Sequence, residues 1–343
     1  LIRGEFYSIQ DLTDRVRKLD IERKRLIKNA DDLSSKNTVR DLLDICKTSG
    51  TIPFSSLARM AFIGSTFLKS FVEAKAITED AYHEFLNSIS TVASEMGDNL
   101  EKVREGIITL ETFLEEYGHL RPGTYEIALE RYDENPNLYF SEIHNKSKSK
   151  KDNKENSEIY SFKESDKAAM QNLLKSIGMN LNIDEVLTFT KESIRSRELA
   201  KFLFSRSVSD VLSIICTWGE DRGISREDLS YIEIQTLLTS MDDNINLDST
   251  IAKAKEEYEH NQQIIMPQII FSPEDAEYVV AIGSRPNFIT SKKVTGKTIY
   301  ISGVDAKKID IDNKIVLIES ADPGYDWIFT HNISGLITKY GGA

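Results

Sequence analysis

Residues 113–127 read Phe-Leu-Glu-Glu-Tyr-Gly-His-Leu-Arg-Pro-Gly-Thr-Tyr-Glu-Ile. A phenol (Tyr117), an imidazole (His119), a guanidinium (Arg121) and a carboxylate (Glu126) are gathered here between Gly118 and the turn-forming pair Pro122-Gly123. The planar fork of Arg121 suits an anionic group, and His119 suits a base or a hydrogen-bond donor. The same spacing also fits a rigid helix-to-loop corner in which Tyr117 and His119 pack and cap. The residues alone leave both uses open.

A second ordered string closes the chain. An apolar run over 314–319 leads to Asp322-Pro323-Gly324, then to a short aromatic piece with Trp327 and Phe329, then to Ser334-Gly-Leu-Ile-Thr338 and Gly341-Gly342. A strand ending in glycines lets backbone N–H groups approach an anion with no Cβ in the way. Trp327 and Phe329 are expected to anchor the short helix to its sheet. Elsewhere the chain lacks Gly-x-Gly-x-x-Gly, the P-loop, His-Glu-x-x-His, Cys-x-x-Cys and Gly-x-Ser-x-Gly. None of its five histidines is spaced from another as a metal pair, so no metal site is expected.

The terminal string resembles the phosphohistidine swivelling domain of the phosphoenolpyruvate-utilising enzymes, a family that includes phosphoenolpyruvate synthase, pyruvate phosphate dikinase and the rifampin phosphotransferases. Residues 113–127 are similar to the Tyr-Gly-His-x-x-Pro-Gly-Glu segment of the rifampin-phosphotransferase-like members, where Thr124 stands in place of the usual Glu. The resemblance implies an ATP-dependent phosphotransferase that passes a phosphoryl group through a histidine to a small-molecule acceptor. It makes Gly341 and Gly342 the phosphohistidine loop, with the carrier histidine expected just after Ala343. Asp322, Pro323 and Gly324 become the mobile-domain turn, and Tyr117, His119, Arg121 and Glu126 the acceptor-site candidates. An acidic role at position 124 would have to pass to Glu126. ATP and Mg are implied for the parent enzyme only, bound by an ATP-grasp domain that residues 1–343 do not contain. The segment therefore reads as an internal fragment, inactive alone. The rival reading is a non-catalytic, mainly helical binding or scaffold protein with a small β-rich domain.

The elements that must position these groups are mostly helical. Over 56–72, Leu57, Met60, Ala61, Gly64, Phe67, Leu68, Phe71 and Val72 recur at intervals of three and four. Thr78 before Glu79-Asp80, and Thr109 before Leu110, Phe113, Leu114 and Tyr117, open further helices, the second expected to stop at Gly118 in a left-handed turn. Val208, Val211, Leu212, Ile215 and Cys216 form another stripe closed by Gly219 and Gly223, and Ser225 to Asp228 has the form of a capping box. Arg195-Ser-Arg-Glu198 fits helical salt bridging.

Residues 145–158 carry no apolar side chain and read as a linker. After Pro267 short β-rich runs appear at 278–282, 287–290, 298–302, 314–319 and 334–338. The expected class is α+β and multidomain: a helical domain over 1–144 and 159–268, then a truncated α/β swivelling domain over 269–343. The 343 residues suffice for roughly two or three cores. A net charge of −12 argues against a broad nucleic-acid-binding face. The most apolar window, 60–68, is far shorter than the ~20 residues a membrane helix needs. With no secretory signal, and with Cys46 and Cys216 read as buried small hydrophobes, a cytoplasmic location and no membrane partner are expected.

Overall fold

The computed structural model describes residues 7–30, 32, 35–141, 160–243, 247–264, 270–277, 288, 290, 292–301, 309–321 and 323–340. The linker reading of 145–158, the strand reading at 278–282, residues 287 and 289 of the strand reading at 287–290, and Asp322, Gly341 and Gly342 lie outside the described residues.

Among the described residues, twelve α-helices precede the sheet: α1 (Ile9–Asn29), α2 (Lys36–Ile45), α3 (Ile52–Glu73), α4 (Glu79–Asn87), α5 (Val92–Arg104), α6 (Leu110–Tyr117), α7 (Pro136–Phe140), α8 (Glu164–Ser176), α9 (Ile183–Glu220), α10 (Arg226–Ser230), α11 (Ile234–Asp243) and α12 (Asp248–Asn261). A π-helical turn, Cys46–Thr51, joins α2 to α3. The capping chemistry follows the sequence. Thr78, Thr109 and Ser225 accept the N–H groups of Ala81, Thr112 and Asp228, each answering a donor left free at a helix start.

The 38-residue helix α9 is the axis of the helical body. It packs against α1, α2 and α3 on one side and against α5, α8 and α10 elsewhere. Gly64 of α3 lets the two long helices close up, since a Cβ there would stand 2.9 Å from the Thr190 Cα. Gly219 does not end α9 but lies within it, where the absent side chain makes room for Leu229. Gly223, just beyond, takes a φ of 73°. Both cysteines are buried.

Three parallel strands follow among the described residues, β1 (Thr298–Ile301), β2 (Ile315–Ser320) and β3 (Gly335–Tyr340), in the order β1-β2-β3. Ile301 faces Ile318, and Val316 faces Leu336. The link from β2 to β3 is a 3₁₀ helix, Pro323–Thr330. Trp327 and Ile328 turn inward, whereas Phe329 is 55% exposed and does not anchor the segment as the sequence suggested. In a helix of three residues per turn Trp327, Ile328 and Phe329 point to three different sides, and with the first two turned inward Phe329 is left on the outer side.

Among the described residues the β layer has no separate apolar centre. Ile301, Ile311, Val316, Ile318, Trp327 and Ile328 belong to one cluster with Leu57, Met96, Phe113, Tyr132 and Phe202 of the helical body. Replacing Leu57 or Ile318 by alanine should therefore lower the same single thermal transition, each by about 2–5 kcal/mol. Circular dichroism melts at pH 6 check this. Two transitions, with Ile318→Ala moving only one, would show two independent cores.

Candidate functional site

The segment after α6 folds back on itself. Tyr132 N–H donates to the Leu120 carbonyl at 2.8 Å and Asp133 N–H to the Gly118 carbonyl at 3.1 Å. Gly118 is right-handed, with φ −59°, so its role is not the left-handed stop expected from sequence. Space is what it supplies: a Cβ would overlap the Leu114 carbonyl and come within 2.8 Å of the Asp133 Cβ. Gly123 is the left-handed residue, with φ 67°, and lets Glu126 N–H close a turn on its carbonyl at 2.9 Å.

A seam of three serines on α9, spaced by four, holds this corner. Ser205 Oγ lies 3.4 Å from His119 Nε2, and Ser209 donates to the His119 carbonyl at 2.6 Å. Ser213 donates to Glu134 Oε1 at 2.6 Å. The periodic apolar signal of α9 gave no hint of this polar face.

Arg121 is buried and turned toward the seam. It donates to the Leu129 carbonyl at 3.1 Å, to Ser213 Oγ at 3.2 Å, and to Ser209 Oγ and its carbonyl at 3.3 Å. Its Nε finds no partner. Binding an anionic acceptor with this fork would require these bonds to be given up. Tyr117 and His119 are buried beside it, the phenol receiving a bond from Asn99 at 3.1 Å. Glu126 is exposed and caps Ala128 N–H at 3.1 Å. Three of the four sequence-selected side chains thus share one interior, and the fourth faces outward.

Charged groups surround the corner in a network that the sequence could not pair. Arg206 binds Asp20 at 3.2 Å and Glu116 at 2.6 Å, Arg23 reaches Asp20 and Asp210, and Arg131 binds Asp210 at 2.8 Å and Asp133 at 2.6 Å. Burial, followed by the positive charges of Arg206, Arg131 and Arg23, holds His119 well below its ordinary pKa, so the imidazole is neutral. Burial alone would raise Glu134, but bonds from Ser213, the Arg131 N–H and Arg226 bring it to about 2. The contribution of Glu134 to stability is present above its unfolded value and is lost as pH falls toward 2.

The second sequence-selected segment meets the first here. The Gly324 backbone lies against Arg121 and Pro122: a Cβ would overlap the Arg121 carbonyl and stand 2.7 Å from the Pro122 nitrogen. Tyr132 donates its hydroxyl to the Gly324 carbonyl at 2.9 Å, and Arg104 donates to the Phe329 carbonyl at 3.1 Å. A cavity of about 30 Å³ lies at this junction, room for about one water. Met96 of α5, Leu120 and Thr124 of the corner, Lys201 and Ser205 of α9, and Asp326 of the 3₁₀ helix line it. Burial pushes the Asp326 carboxyl up to about 7. Sequence reasoning passed over Asp326. The available signal was a lone acid among Tyr325, Trp327 and Ile328.

Among the described residues, no three or more His, Cys, Asp or Glu side chains are grouped as metal ligands, and no helix is long and apolar enough to cross a membrane. No family model matches the chain, and no curated protein matches it.

Two substitutions probe the junction. Gly324→Ala should destabilise strongly, because its neighbours are backbone atoms that cannot step aside. Tyr132→Phe, which removes one buried hydrogen bond, should cost about 1–3 kcal/mol. Urea unfolding of both variants orders the effects, and equal losses would refute the steric account. Separately, Arg121→Ala should cost roughly 3 kcal/mol or more by orphaning buried acceptors. A melting temperature unchanged in that variant would free Arg121 for another role.

Proposed function

We propose that this chain is a segment of an ATP-dependent phosphotransferase of the phosphoenolpyruvate-utilising kind, in which a phosphohistidine carries the phosphoryl group to a small-molecule acceptor. The reading rests on two motif-bearing segments, 113–127 and 322–342, and one observation carries it. Gly324 of the second segment abuts the Arg121–Pro122 backbone of the first, although helices α7 to α12 separate them in sequence. Motifs selected independently for one chemistry meet at one junction.

On this reading the β layer is the part that carries the phosphoryl group, and its carrier histidine lies beyond residue 343. The histidine nitrogen attacks phosphorus and the bond to the nucleotide oxygen breaks. An acceptor oxygen then attacks phosphorus, the P–N bond breaks, and the acceptor proton leaves to a base. Splitting the transfer in this way is covalent catalysis. Tyr117, His119 and Arg121 serve mainly to frame the docking face, and acceptor contacts fall to exposed neighbours such as Glu126. The acid absent at Thr124 is supplied from across the cavity by Asp326, which lines the same space. ATP and Mg would be held by an ATP-grasp domain outside residues 1–343.

The test uses the complete reading frame. Incubated with ATP labelled at both the β and γ positions, the full-length protein should acquire acid-labile, base-stable phosphate on a histidine after Gly342, and residues 1–343 alone should acquire none. Stoichiometric labelling within 1–343, or a frame with no histidine after Gly342 and no nucleotide-binding region, would leave the helical binding or scaffold reading in its place.

A further inference from the structure

Three large apolar side chains of α3 stand in solvent. Ile52 is 49% exposed, Phe62 56% and Ile63 51%. Leu57, Ala61, Gly64 and Leu68 of the same helix are buried against the body. At roughly 100° per residue, Ile52, Arg59 and Ile63 fall on one line along the outer side, and Phe62 and Lys69 on the line beside it. Single exposed apolar residues are ordinary, but three on one side of one helix make a patch of the kind that marks an interaction surface. A helix with apolar groups on a second side needs something to bury that side against. Among the described residues, α1, α4 and α9 pack on α3 and leave this side uncovered.

The charge on this side has one sign. Arg59 and Lys69 are exposed and make no hydrogen bond or ion pair among the described residues. From Ile52 to Val72 the helix carries no acid, and Glu73 comes only at its last residue. A third cation, Arg197 of α9, lies over the Phe62 ring at 5.7 Å and pairs with Glu198 at 3.4 Å. All this stands on a chain whose net charge is −12.

We propose that the outer side of α3 docks an acidic amphipathic helix of a protein partner, with its apolar side chains on Ile52, Phe62 and Ile63 and its carboxylates on Arg59 and Lys69. The exposed ridge from Ile52 to Lys69 is about 25 Å long and straight, which suits a helix laid along it, read through anchors spaced by whole turns. Phe62 is the anchor with the most area to lose to the partner. A second copy of the chain is disfavoured, because a two-fold contact through this face would set cations against cations. Anionic lipid is disfavoured too: two free cations on an acidic chain fall short of the roughly four to eight that hold a segment on such a surface. The docking stands apart from the phosphotransferase reading, since neither 113–127 nor 322–342 contributes to the patch.

The probes are labelled helical peptides of about 18 residues, the length that matches the ridge. One carries leucines at helical spacing flanked by glutamates, a second has lysines for the glutamates, and a third has serines for the leucines. By fluorescence anisotropy the first should bind residues 1–343 saturably and more weakly as salt rises, and the other two should not bind. Phe62→Ser and Arg59→Glu should each weaken it about tenfold. Neither should change the melting temperature, because both side chains are exposed. If Phe62→Ser does lower it, Arg59→Glu decides alone. No saturable binding, equal binding of the lysine peptide, or affinity unchanged in the variants would overturn the docking. So would Phe62-dependent binding to phosphatidylserine vesicles that the acidic peptide does not displace, or Phe62-dependent self-association in sedimentation velocity. None of these outcomes bears on whether a histidine beyond residue 343 is phosphorylated.

Discussion

Three serines at intervals of four on α9 satisfy groups of the corner that follows α6, and Arg206 on the same helix donates to the Glu116 carbonyl at the end of α6. That polar seam is the constraint on which the rest depends. A loop folded back into the interior carries backbone groups that must find partners, and an apolar helix face would leave them unsatisfied. Small side chains permit the close approach, and hydroxyls supply the bonds. Arg121 enters from the loop side and shares the same seam.

The consequence reaches the β layer. Because the corner is fixed, its outer backbone at Arg121–Pro122 becomes a rigid shelf, and the 3₁₀ segment rests on it through Gly324. Trp327 and Ile328 then complete an apolar cluster that runs from α3 and α5 into the sheet. The ion-pair network of Asp20, Arg23, Arg131, Arg206 and Asp210 ties α1, α9 and the corner together from the other side. Partly buried networks of this kind contribute through geometry: breaking one member leaves a charge without compensation.

Asp326 departs from this pattern of satisfied groups. The charges around the corner have several partners each, whereas this half-buried carboxyl borders a small cavity lined by Met96, Leu120 and Phe202 together with Glu198, Lys201 and Ser205.

The sequence by itself determined the helices, their caps and the three described strands, because apolar periodicity and capping chemistry act over three or four residues. Thr78, Thr109 and Ser225 cap where their types said they would, and the apolar runs after Pro267 form β1 to β3. It also marked 113–127 and 322–324 as unusual, through local residue types and spacing. It did not determine the fates of those side chains. Arg121 reads as an exposed anion-binding fork until α9 supplies serines for it, and Phe329 reads as an anchor until a three-residue turn sets it on the outer edge. Gly118 reads as a left-handed stop until Asp133 occupies the space beside it. Tertiary structure alone decided these outcomes, and alone brought Gly324 onto Arg121 and set Asp326 at the cavity beside Leu120 and Thr124. Burial, and the partner a polar group finds, depend on contacts between residues far apart in the chain, and no local pattern encodes them.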